Sequence, residues 1–393
     1  MASLVLFDSN HKDLLPLTFT RPVAEIRIGI LTLTQKWELL LSRKASFYTE
    51  DYLQEKYPMA ISDDNLLVNG GVIPERDLAI QVGKLGYGEA LSWEGKLIAA
   101  RVGYNEATKI LLGDLSGIRV RNLDVEPLQV LRPFDVFRLN GQALQLDFEE
   151  LTRGRKSASL SSTNRVIAPE NVFVEEGAYV ECAIINASAG SVYIGKHSEI
   201  MEGAIVRGPF ALCEHSSLKM GAKIYGPTTI GPYSKVGGEI NNSVVFGYSN
   251  KAHDGFLGNS VIGEWCNLGA DTNNSNLKNN YEEVKLWSYR EERFVKTGLQ
   301  FCGLIMGDHS KCGINTMFNT GTVVGISANI FGDGFPRNYI PSFSWGGAAG
   351  MVDYVIDKAL LTAQRVVERR GISLNEVDKK ILCHIYNNTQ RHR

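Results

Sequence analysis

His253 is the residue whose type and setting most directly suggest chemistry in this chain. It lies in the stretch AHDGFLGNSVIGEWCNLGADTNNSN, residues 252–276, which contains no second histidine. An imidazole titrates near neutral pH, so a histidine can accept a proton from an attacking nucleophile and pass it on. A lone histidine on a turn is more often a solvated bystander. The elements that position His253 therefore decide between these two interpretations.

An aliphatic residue returns at every sixth position over a large part of the chain. The first run is Ile194, Ile200, Val206, Leu212, Leu218, Ile224, Ile230 and Val236, and a second contains Met306, Cys312, Phe318, Val324 and Ile330. A helix repeats its apolar residues every three or four positions, and a half-exposed strand repeats them every two. A step of six predicts short strands joined by turns, three of which form one coil of a parallel β-helix. Two long runs in step argue against a chance pattern in an antiparallel β-protein.

The repeat places His253 inside this solenoid. Glu239 lies fourteen residues before His253, so a coil of ~18 residues brings both close to one edge on successive coils. Residues 277–303 interrupt the repeat with charged and aromatic residues. We expect an excursion loop there, which either contacts a ligand or is a solvated insertion.

The remaining segments indicate three further parts. Residues 1–150 contain strand-like pieces (SLVLFD, NLLVNGG, KLIAARV) and a helical segment near residues 29–42, which predict a small α/β domain. A Ser-rich stretch indicates a linker at residues 151–165, followed by the β-helix over residues 166–345. Apolar residues at helical spacing, Gly371 as a helix end and a capping box from Ser373 to Glu376 predict a helical hairpin over residues 346–393.

Composition limits the classes of function. The formal net charge is −2, which gives no support for binding nucleic acid or a membrane surface. The six cysteines form no CxxC pair, so no zinc site is expected and a reducing, cytoplasmic setting is indicated. The N-terminus is typical of a strand rather than a signal peptide, and no apolar run is long enough to cross a bilayer. The 39 glycines of 393 residues fit a fold with many tight turns.

An α/β domain followed by hexapeptide coils resembles the bifunctional N-acetylglucosamine-1-phosphate uridyltransferase/glucosamine-1-phosphate acetyltransferase family. More closely, the chain looks like a divergent branch with a shortened first domain, whose hallmarks are PLTFTRPVAEIRIGIL and GFLGNSVIGEWCNLGADTNNSNLKNNY. The resemblance implies a left-handed parallel β-helix and a homotrimer. It also implies acetyl-CoA as the acyl donor and a small-molecule sugar or sugar phosphate as the acceptor.

The resemblance carries over three catalytic residues. In the family, a histidine at the place of His253 takes the proton of the attacking sugar amine, because an ammonium cannot attack a thioester. Glu239 matches a glutamate that orients this histidine. The backbone N–H of Ala270 matches a donor beside the thioester carbonyl, where negative charge develops. The substrate-contacting positions carried over in the same way are Lys223, Phe256, Asn267, Asn276 and Lys285.

The chain also departs from the family pattern. Asn241 stands where the family has a second phosphate-binding lysine, and Asp271 stands where it has a glycine. Phe256 and Leu277 each replace a tyrosine. A weaker or rearranged grip on the sugar phosphate is therefore expected.

The first domain departs further. Sugar nucleotidyltransferases follow their first strand with a Gly-rich loop that cradles phosphates, but no glycine occurs here between Leu4 and Ile26. Gly71 stands where the family holds its metal with an aspartate. Arg21 and Lys12 remain as candidate contacts to a nucleotide phosphate, no metal ligand is expected, and Mg²⁺ would be needed only if this domain is active.

Three functions follow from these observations. The first is an acetyl-CoA-dependent acetyltransferase acting on an amino sugar or sugar phosphate, with a vestigial or altered nucleotidyltransferase domain, and His253 with Glu239 favours it. The second is a sugar-1-phosphate nucleotidyltransferase forming a UDP- or dTDP-sugar, against which Gly71 and the missing loop argue. The third is a non-catalytic trimeric scaffold that binds a sugar or nucleotide.

Overall fold

The computed structural model describes residues 2–393, which form two compact units. The first unit contains residues 2–14, 20–26 and 31–131, and the second contains residues 15–19, 27–30 and 132–393. The sequence analysis places the first domain at residues 1–150. In the structure, the helix over Asn140–Thr152 packs on the second unit instead, since Asn140 donates to the carbonyl of Pro227 at 3.0 Å.

The first unit is built on a six-stranded mixed sheet. Its strands are β1 (Ser3–Phe7), β2 (Ala45–Tyr48), β3 (Asn65–Asn69), β4 (Glu89–Trp93), β5 (Lys96–Val102) and β6 (Arg119–Asn122), in the order β2-β1-β3-β5-β4-β6. Strands β1, β2 and β3 run parallel, while β5 is antiparallel to its neighbours β3 and β4. Helices α1 (Leu33–Leu41), α2 (Arg76–Gly83) and α3 (Tyr104–Leu111) belong to the same unit. The predicted α/β character of this part is confirmed.

The second unit is a three-sided β-solenoid in which each side is a sheet of short, mostly two- to four-residue strands. The first face contains Arg165–Ile167, Ile184–Asn186, Ile205–Arg207, Lys223–Tyr225, Glu239–Asn241 and Phe256–Gly258, followed by the separate pair Asn273–Asn274 and Met317–Phe318. The second face contains Val172–Val174, Val192–Ile194, Phe210–Leu212, Thr228–Ile230, Val244–Gly247, Val261–Glu264, Leu304–Met306, Thr322–Val324 and Tyr339–Ile340. The third face contains Tyr179–Val180, Glu199–Ile200, Ser217–Leu218, Lys235–Val236, Asn250–Lys251, Asn267–Leu268, Lys311–Cys312, Asn329–Ile330, Ser344–Gly347 and Gly350–Asp353. The predicted fold class is confirmed.

The sixfold aliphatic repeat forms the interior of the solenoid. All eight members of the first run are at most 1% exposed, and all five members of the second are at most 5% exposed. They belong to one continuous apolar cluster that runs along the axis. Each fully buried aliphatic side chain contributes about 1.5–3 kcal/mol of transfer free energy, so the stack is a main source of the stability of this unit.

The sixfold repeat slips in the middle of the chain, where Ile262 follows Leu257 after only five residues, and the coils there are shorter. Ile205 pairs with Lys223, eighteen residues on, whereas Lys235 pairs with Asn250 and Asn250 with Asn267. The coils around His253 are therefore fifteen to seventeen residues long, apart from the excursion. This excursion contains an antiparallel hairpin, Lys285–Ser288 with Arg293–Lys296.

The corner that leads into the third face repeats a left-handed residue. His215, Tyr233, Tyr248 and Trp265 all have φ between 53° and 60° there. Their rings stack in register, with centroids 4.8 Å apart for His215 and Tyr233, 5.0 Å for Tyr233 and Tyr248, and 4.3 Å for Tyr248 and Trp265. We call these four residues the aromatic ladder. Its stacking offsets part of the strain of a left-handed non-glycine residue.

The helices of the second unit lie before and after the coils. Helices α4 (Asp135–Arg138) and α5 (Asn140–Thr152) precede the solenoid, and α6 (Ile356–Glu368) and α7 (Glu376–Asn388) follow it. The predicted C-terminal helical hairpin is thereby confirmed, although the side chain that caps α7 is Asn375, which accepts from the N–H of Asp378. The expected linker is partly engaged, because the N–H of Ala158 donates to the carbonyl of Val174 on the first coil. Among residues 2–393, no helix combines the length and the apolar character needed to cross a membrane.

Candidate functional site

His253 lies on the corner turn between the third and the first face of the solenoid, between strands Asn250–Lys251 and Phe256–Gly258. Its side chain is exposed, and its ring makes no hydrogen bond within residues 2–393. Gly255 gives the turn its shape, because φ is 110° there and a Cβ would lie 2.2 Å from the carbonyl oxygen of Thr272. Only glycine adopts this conformation at such a distance from the next coil. The imidazole is thus presented to solvent on a turn that the neighbouring coil constrains.

His253 opens onto a cavity of about 640 Å³ on the third face. Two of the matched positions, Asn267 and Ala270, line the same cavity. The backbone N–H of Ala270 makes no hydrogen bond within the described residues, whereas its carbonyl accepts from Asn315. The structure therefore brings together an imidazole, a free backbone donor and an amide side chain at one opening.

Four cations line this cavity, and sequence reasoning did not select any of them. They are Lys235 and Lys311 on the third face and Arg369 and Arg370 at the end of α6. No carboxylate side chain of residues 2–393 lines the cavity. Such a wall favours an anionic ligand, because four positively charged side chains face the cavity and no carboxylate lines it.

Burial affects both lysines of the cavity, and neighbouring positive charges also affect Lys235. Burial, followed by the charges of Arg370 and Lys219, lowers the pKa of Lys235. Burial also lowers the pKa of Lys311 to about 8, while its Nζ donates to the carbonyl of His309 at 2.7 Å. Arg370 donates to the carbonyl of Tyr233 at 2.8 Å, which ties the end of α6 to the aromatic ladder. A bound anion would relieve this mutual repulsion.

Two rings of the aromatic ladder form another wall of the cavity. Tyr248 and Trp265 line it beside Asn250 and Asn267. Stacked rings present flat apolar surface, while the amides between them supply donors and acceptors. The cavity therefore combines features that recognise an apolar or planar group, polar groups and an anion.

Glu239 does not hydrogen-bond to His253 in the structure. It lies on the first face in register with Phe256, and its N–H donates to the carbonyl of Gly255. Its Oε1 accepts from the hydroxyl of Tyr225 at 2.6 Å, and this hydrogen bond raises the pKa of Tyr225 to about 12. The spacing of fourteen residues did bring Glu239 to the turn that carries His253, but Tyr225 from the preceding coil takes one of its oxygens.

The remaining matched residues form a second group on the first face. Lys223 pairs in register with Glu239 and is exposed. Phe256 and the amide of Asn276 both flank Gly258, and Asn276 donates to Oδ1 of Asn259 at 2.7 Å. These residues adjoin the turn of His253 without lining its cavity.

Lys285 lies elsewhere. It lines a separate cavity of about 1350 Å³ formed by the excursion hairpin, the last coils and residues 390–393. This cavity shares no lining residue with that of His253. Within this one chain, the structure therefore does not bring Lys285 to His253.

In the first unit, the loop after β1 closes on Asp8. This carboxylate accepts from Nδ1 of His11 at 2.8 Å, from the N–H of Val23 at 2.9 Å and from the hydroxyl of Thr49 at 2.5 Å. The loop continues as a 3-10 helix over His11–Leu14 and shows no glycine-lined cradle. The side chain of Asp8 instead organises the loop that a nucleotidyltransferase would use for phosphate.

The two candidate phosphate contacts of the first unit differ in their exposure. Arg21 is 5% exposed, whereas Lys12 is exposed on the 3-10 helix. A Cβ at Gly71 would lie 3.2 Å from Oδ1 of Asn10 and 3.3 Å from the carbonyl of Val130, so a larger residue would have to displace them. Within residues 2–393, no group of three or more His, Cys, Asp or Glu side chains could hold a metal ion.

Part of the hallmark PLTFTRPVAEIRIGIL belongs to the second unit. Arg27 donates from Nε to the carbonyl of Phe246 at 2.9 Å, and the hydroxyl of Thr229 donates to the carbonyl of Gly29 at 2.9 Å. Phe19 packs edge-on against Tyr289 with their centroids 5.2 Å apart. Two short segments of this hallmark, residues 15–19 and 27–30, therefore belong to the same unit as the solenoid.

Comparison with known proteins found a matching family model and several relatives that match part of the chain. Residues 4–156 match the family model of the sugar nucleotidyl transferases. The chain is 28% identical over 143 residues to an uncharacterized acetyltransferase, YaiX, of Escherichia coli, which covers 36% of this chain and 61% of that protein. It is 32% identical over 120 residues to the bifunctional protein GlmU of Methanococcus aeolicus, covering 30% of this chain and 25% of that protein.

A third relative matches this chain over a similar number of residues. The bifunctional sugar-1-phosphate nucleotidylyltransferase/acetyltransferase of Sulfurisphaera tokodaii is 28% identical over 144 residues, which cover 36% of this chain and 35% of that protein. The chain thus spans at most about three fifths of the length of these relatives. Among solved structures, the polySia-specific acetyltransferase NeuO has a TM-score of 0.29 at 12% identity, covering 53% of this chain and 94% of that one. At such a TM-score, the likeness says nothing about function.

Residues 4–156 thus match the sugar nucleotidyl transferase family, and part of the chain is similar to bifunctional GlmU proteins and to a bifunctional sugar-1-phosphate nucleotidylyltransferase/acetyltransferase.

Proposed function

We propose that the chain is an acetyltransferase that uses acetyl-CoA to acetylate an amino sugar or sugar phosphate, with His253 as the general base. The observation that carries this proposal is the cavity of the third face, in which His253, the free N–H of Ala270 and four cations converge. The relatives, which are described as an acetyltransferase and as bifunctional proteins, support a sugar acyl or nucleotidyl transferase.

The chemistry requires a proton acceptor and a place for negative charge. The neutral sugar amine attacks the thioester carbonyl, and the imidazole of His253 takes the proton that the amine loses. The carbonyl oxygen becomes an oxyanion, for which the N–H of Ala270 is an available donor. Collapse of the intermediate forms the amide bond and breaks the bond to sulfur, and the proton held by His253 passes to the leaving thiolate. The products are the N-acetylated sugar and the free thiol of CoA, and His253 is neutral again.

The cations explain how a phosphate-bearing substrate could be held despite Asn241. Lys235, Lys311, Arg369 and Arg370 supply positive charge on the third face, beside His253 rather than on the first face. Phosphates occur in the acyl donor and in a sugar phosphate, so the same cluster suits either molecule. Lys223 and the Glu239–Tyr225 pair lie across the turn on the first face, where they suit the sugar hydroxyls or amine.

A homotrimer and a cytoplasmic setting belong to the same proposal: the family resemblance supports the trimer, and the free cysteines support a reducing compartment. Light scattering of the purified chain tests the trimer directly. A monomer would contradict the proposed trimer, and the His253 cavity would then be formed by residues of one chain alone.

The second candidate function is sugar-1-phosphate nucleotidyl transfer, favoured by the family match over residues 4–156. The closed loop at Asp8 and the contacts around Gly71 argue against it. Activity there would require a nucleotide phosphate to meet Lys12 or Arg21, and Mg²⁺ to be held largely by the substrate.

One experiment separates these functions. The purified full chain is incubated with acetyl-CoA and a panel of amino sugars, amino sugar-1-phosphates and nucleotide-linked amino sugars, and free thiol is measured. In parallel, UTP and dTTP are supplied with sugar-1-phosphates and Mg²⁺, and pyrophosphate is measured. We expect thiol release with at least one acceptor. Pyrophosphate release without any thiol release would overturn the proposal, and the absence of both would favour a binding scaffold.

A further inference from the structure

One charged residue interrupts the apolar interior of the third face. The inward position of each coil is held by Val180, Ile200, Leu218, Val236, Lys251, Leu268, Cys312 and Ile330 in turn. Lys251 is 3% exposed and lies two residues before His253. An aliphatic residue would continue the stack as in the neighbouring coils. A buried ammonium costs several kcal/mol unless its donors are satisfied, so this exception calls for a physical reason.

The ammonium of Lys251 lies under the turn that carries His253. Its Nζ donates to the carbonyl of His253 at 2.7 Å and to the carbonyl of Asp254 at 2.9 Å. Two peptide planes of the turn are therefore fixed by one buried cation. The carboxylates of Asp254 and Asp271 and the thiol of Cys312 are the titratable groups that act on it, and burial lowers the pKa of Lys251 to about 8.

The preceding coil forms the same corner without such a device. There the inward residue is Val236, followed by Gly237 and Gly238, both of which approach the turn of His253 closely. The turn at His253 has four residues between its strands, as do the corners that follow the apolar inward residues Ile200 and Leu218. At His253, however, two carbonyls of the turn accept from the buried ammonium of Lys251.

We propose that Lys251 is a positioning residue: it holds the His253–Asp254 peptide carbonyls from inside the solenoid and so fixes the direction in which the imidazole enters the cavity. This inference rests on the proposed function for its catalytic consequence, but its structural part is independent of that function. A displacement of about 1 Å of a catalytic group can cost on the order of 10²-fold in rate, so precise support of an exposed turn has a large effect.

The test compares two buried substitutions in the full chain. Lys251→Met keeps the length of the side chain and removes the charge, whereas Leu218→Met alters an equivalent inward position two coils earlier. Amide hydrogen exchange of the peptide covering residues 252–256 is measured by mass spectrometry, and kcat and KM are measured by thiol release. We expect exchange of that peptide to become at least tenfold faster in Lys251→Met, and kcat to fall ~10- to 100-fold while KM for acetyl-CoA changes less than threefold. Leu218→Met should change neither quantity.

The outcomes separate this inference from the proposed function. Unchanged exchange of residues 252–256 in Lys251→Met would overturn the inference whether or not the chain acetylates anything. Loss of activity in His253→Ala with full activity in Lys251→Met would also overturn it, while supporting the proposed function. Faster exchange together with full activity of His253→Ala would instead support the structural role of Lys251 and refute the proposed base.

Discussion

Arg369→Gln should weaken the binding of a phosphate-bearing substrate without slowing chemistry. Arg369 lies at the end of α6, is exposed, and lines the His253 cavity. Its guanidinium has no ion-pair partner within residues 2–393, so its charge is available to a ligand. Glutamine keeps a polar side chain of similar reach and removes the charge.

The expected magnitude follows from the position of Arg369 in the cluster. A hydrogen bond to a charged group contributes about 1.5–3 kcal/mol, and an exposed residue should fall at the low end. A loss of about 1.4 kcal/mol corresponds to a tenfold change in affinity. Lys235, Lys311 and Arg370 remain, so binding should be weakened rather than abolished. Because the remaining attraction is partly exposed to salt, raising the ionic strength should narrow the difference between parent and variant.

The assay is steady-state thiol release with varied acetyl-CoA and, separately, varied acceptor. We expect KM for at least one phosphate-bearing substrate to rise about tenfold at low salt, with kcat changed less than twofold. Arg365→Gln is the matched control, because this residue lies one turn earlier on α6, is exposed and does not line the cavity. Equal KM values for the parent and Arg369→Gln at low salt, for both substrates, would refute the assignment of the cavity as an anion site.

Three further predictions concern the interior and the first unit. Ile200→Asp places an unpaired carboxylate at a 0% exposed position, so urea denaturation should show that the free energy of unfolding falls by about 3–5 kcal/mol. Glu199→Ala, on the outer side of the same strand, should change it little. A denaturation midpoint of Ile200→Asp equal to that of the parent would contradict the inward position of Ile200. Lys251 has its pKa lowered to about 8, so between pH 8 and 10.5 the unfolded chain binds more protons than the folded chain at this residue, and its contribution to stability rises with pH. The stability of the parent relative to Lys251→Met should therefore increase from pH 7.5 to pH 9.5, and a constant difference in denaturation free energy would show that Lys251 titrates normally. The closed loop at Asp8 and the crowded position of Gly71 predict no Mg²⁺-dependent release of pyrophosphate from UTP or dTTP with any sugar-1-phosphate, and robust release would show that the first unit is an active nucleotidyltransferase.

The solenoid was predictable because its interior is set by spacing within the sequence. A residue such as Ile200 or Leu218 points to the axis when its coil closes after eighteen residues, and no long-range information is needed. The shorter coils near His253 were visible as a slip in the repeat. The sequence did not reveal their physical basis, namely that pairs such as Lys235 with Asn250 lie only fifteen residues apart.

The candidate site was predictable only in part. Asn267 and Ala270 were selected through the family resemblance, and both line the cavity of His253 in the structure. Arg369 and Arg370 were missed because helix α6 reaches the cavity from about a hundred residues further along the chain, and periodicity does not report which coil a helix covers. The sequence does show two adjacent arginines at the end of this amphipathic helix, but basic residues are common at helix C-termini and do not indicate a site by themselves.

Hydrogen-bond partners were the least predictable feature. The register brings Glu239 to the turn of His253, but the choice of partner depends on Tyr225, one coil earlier, whose hydroxyl reaches Oε1 first. Similarly, the hallmark PLTFTRPVAEIRIGIL does not reveal that the guanidinium of Arg27 donates to the carbonyl of Phe246 in the solenoid. The outcome of such competition depends on distances in space and not on sequence separation, because several possible partners lie at equal distances in sequence.

The central claim is that His253 is the general base of acetyl transfer, and paired kinetics of His253→Ala and His197→Ala test it most directly. His197 is also an exposed histidine on a solenoid corner, but it does not line the cavity. With the best amine acceptor, we expect kcat to fall ~10²- to 10⁴-fold in His253→Ala, with an unchanged melting temperature and with His197→Ala behaving like the parent. Near-full acetylation by a folded His253→Ala variant would contradict the account.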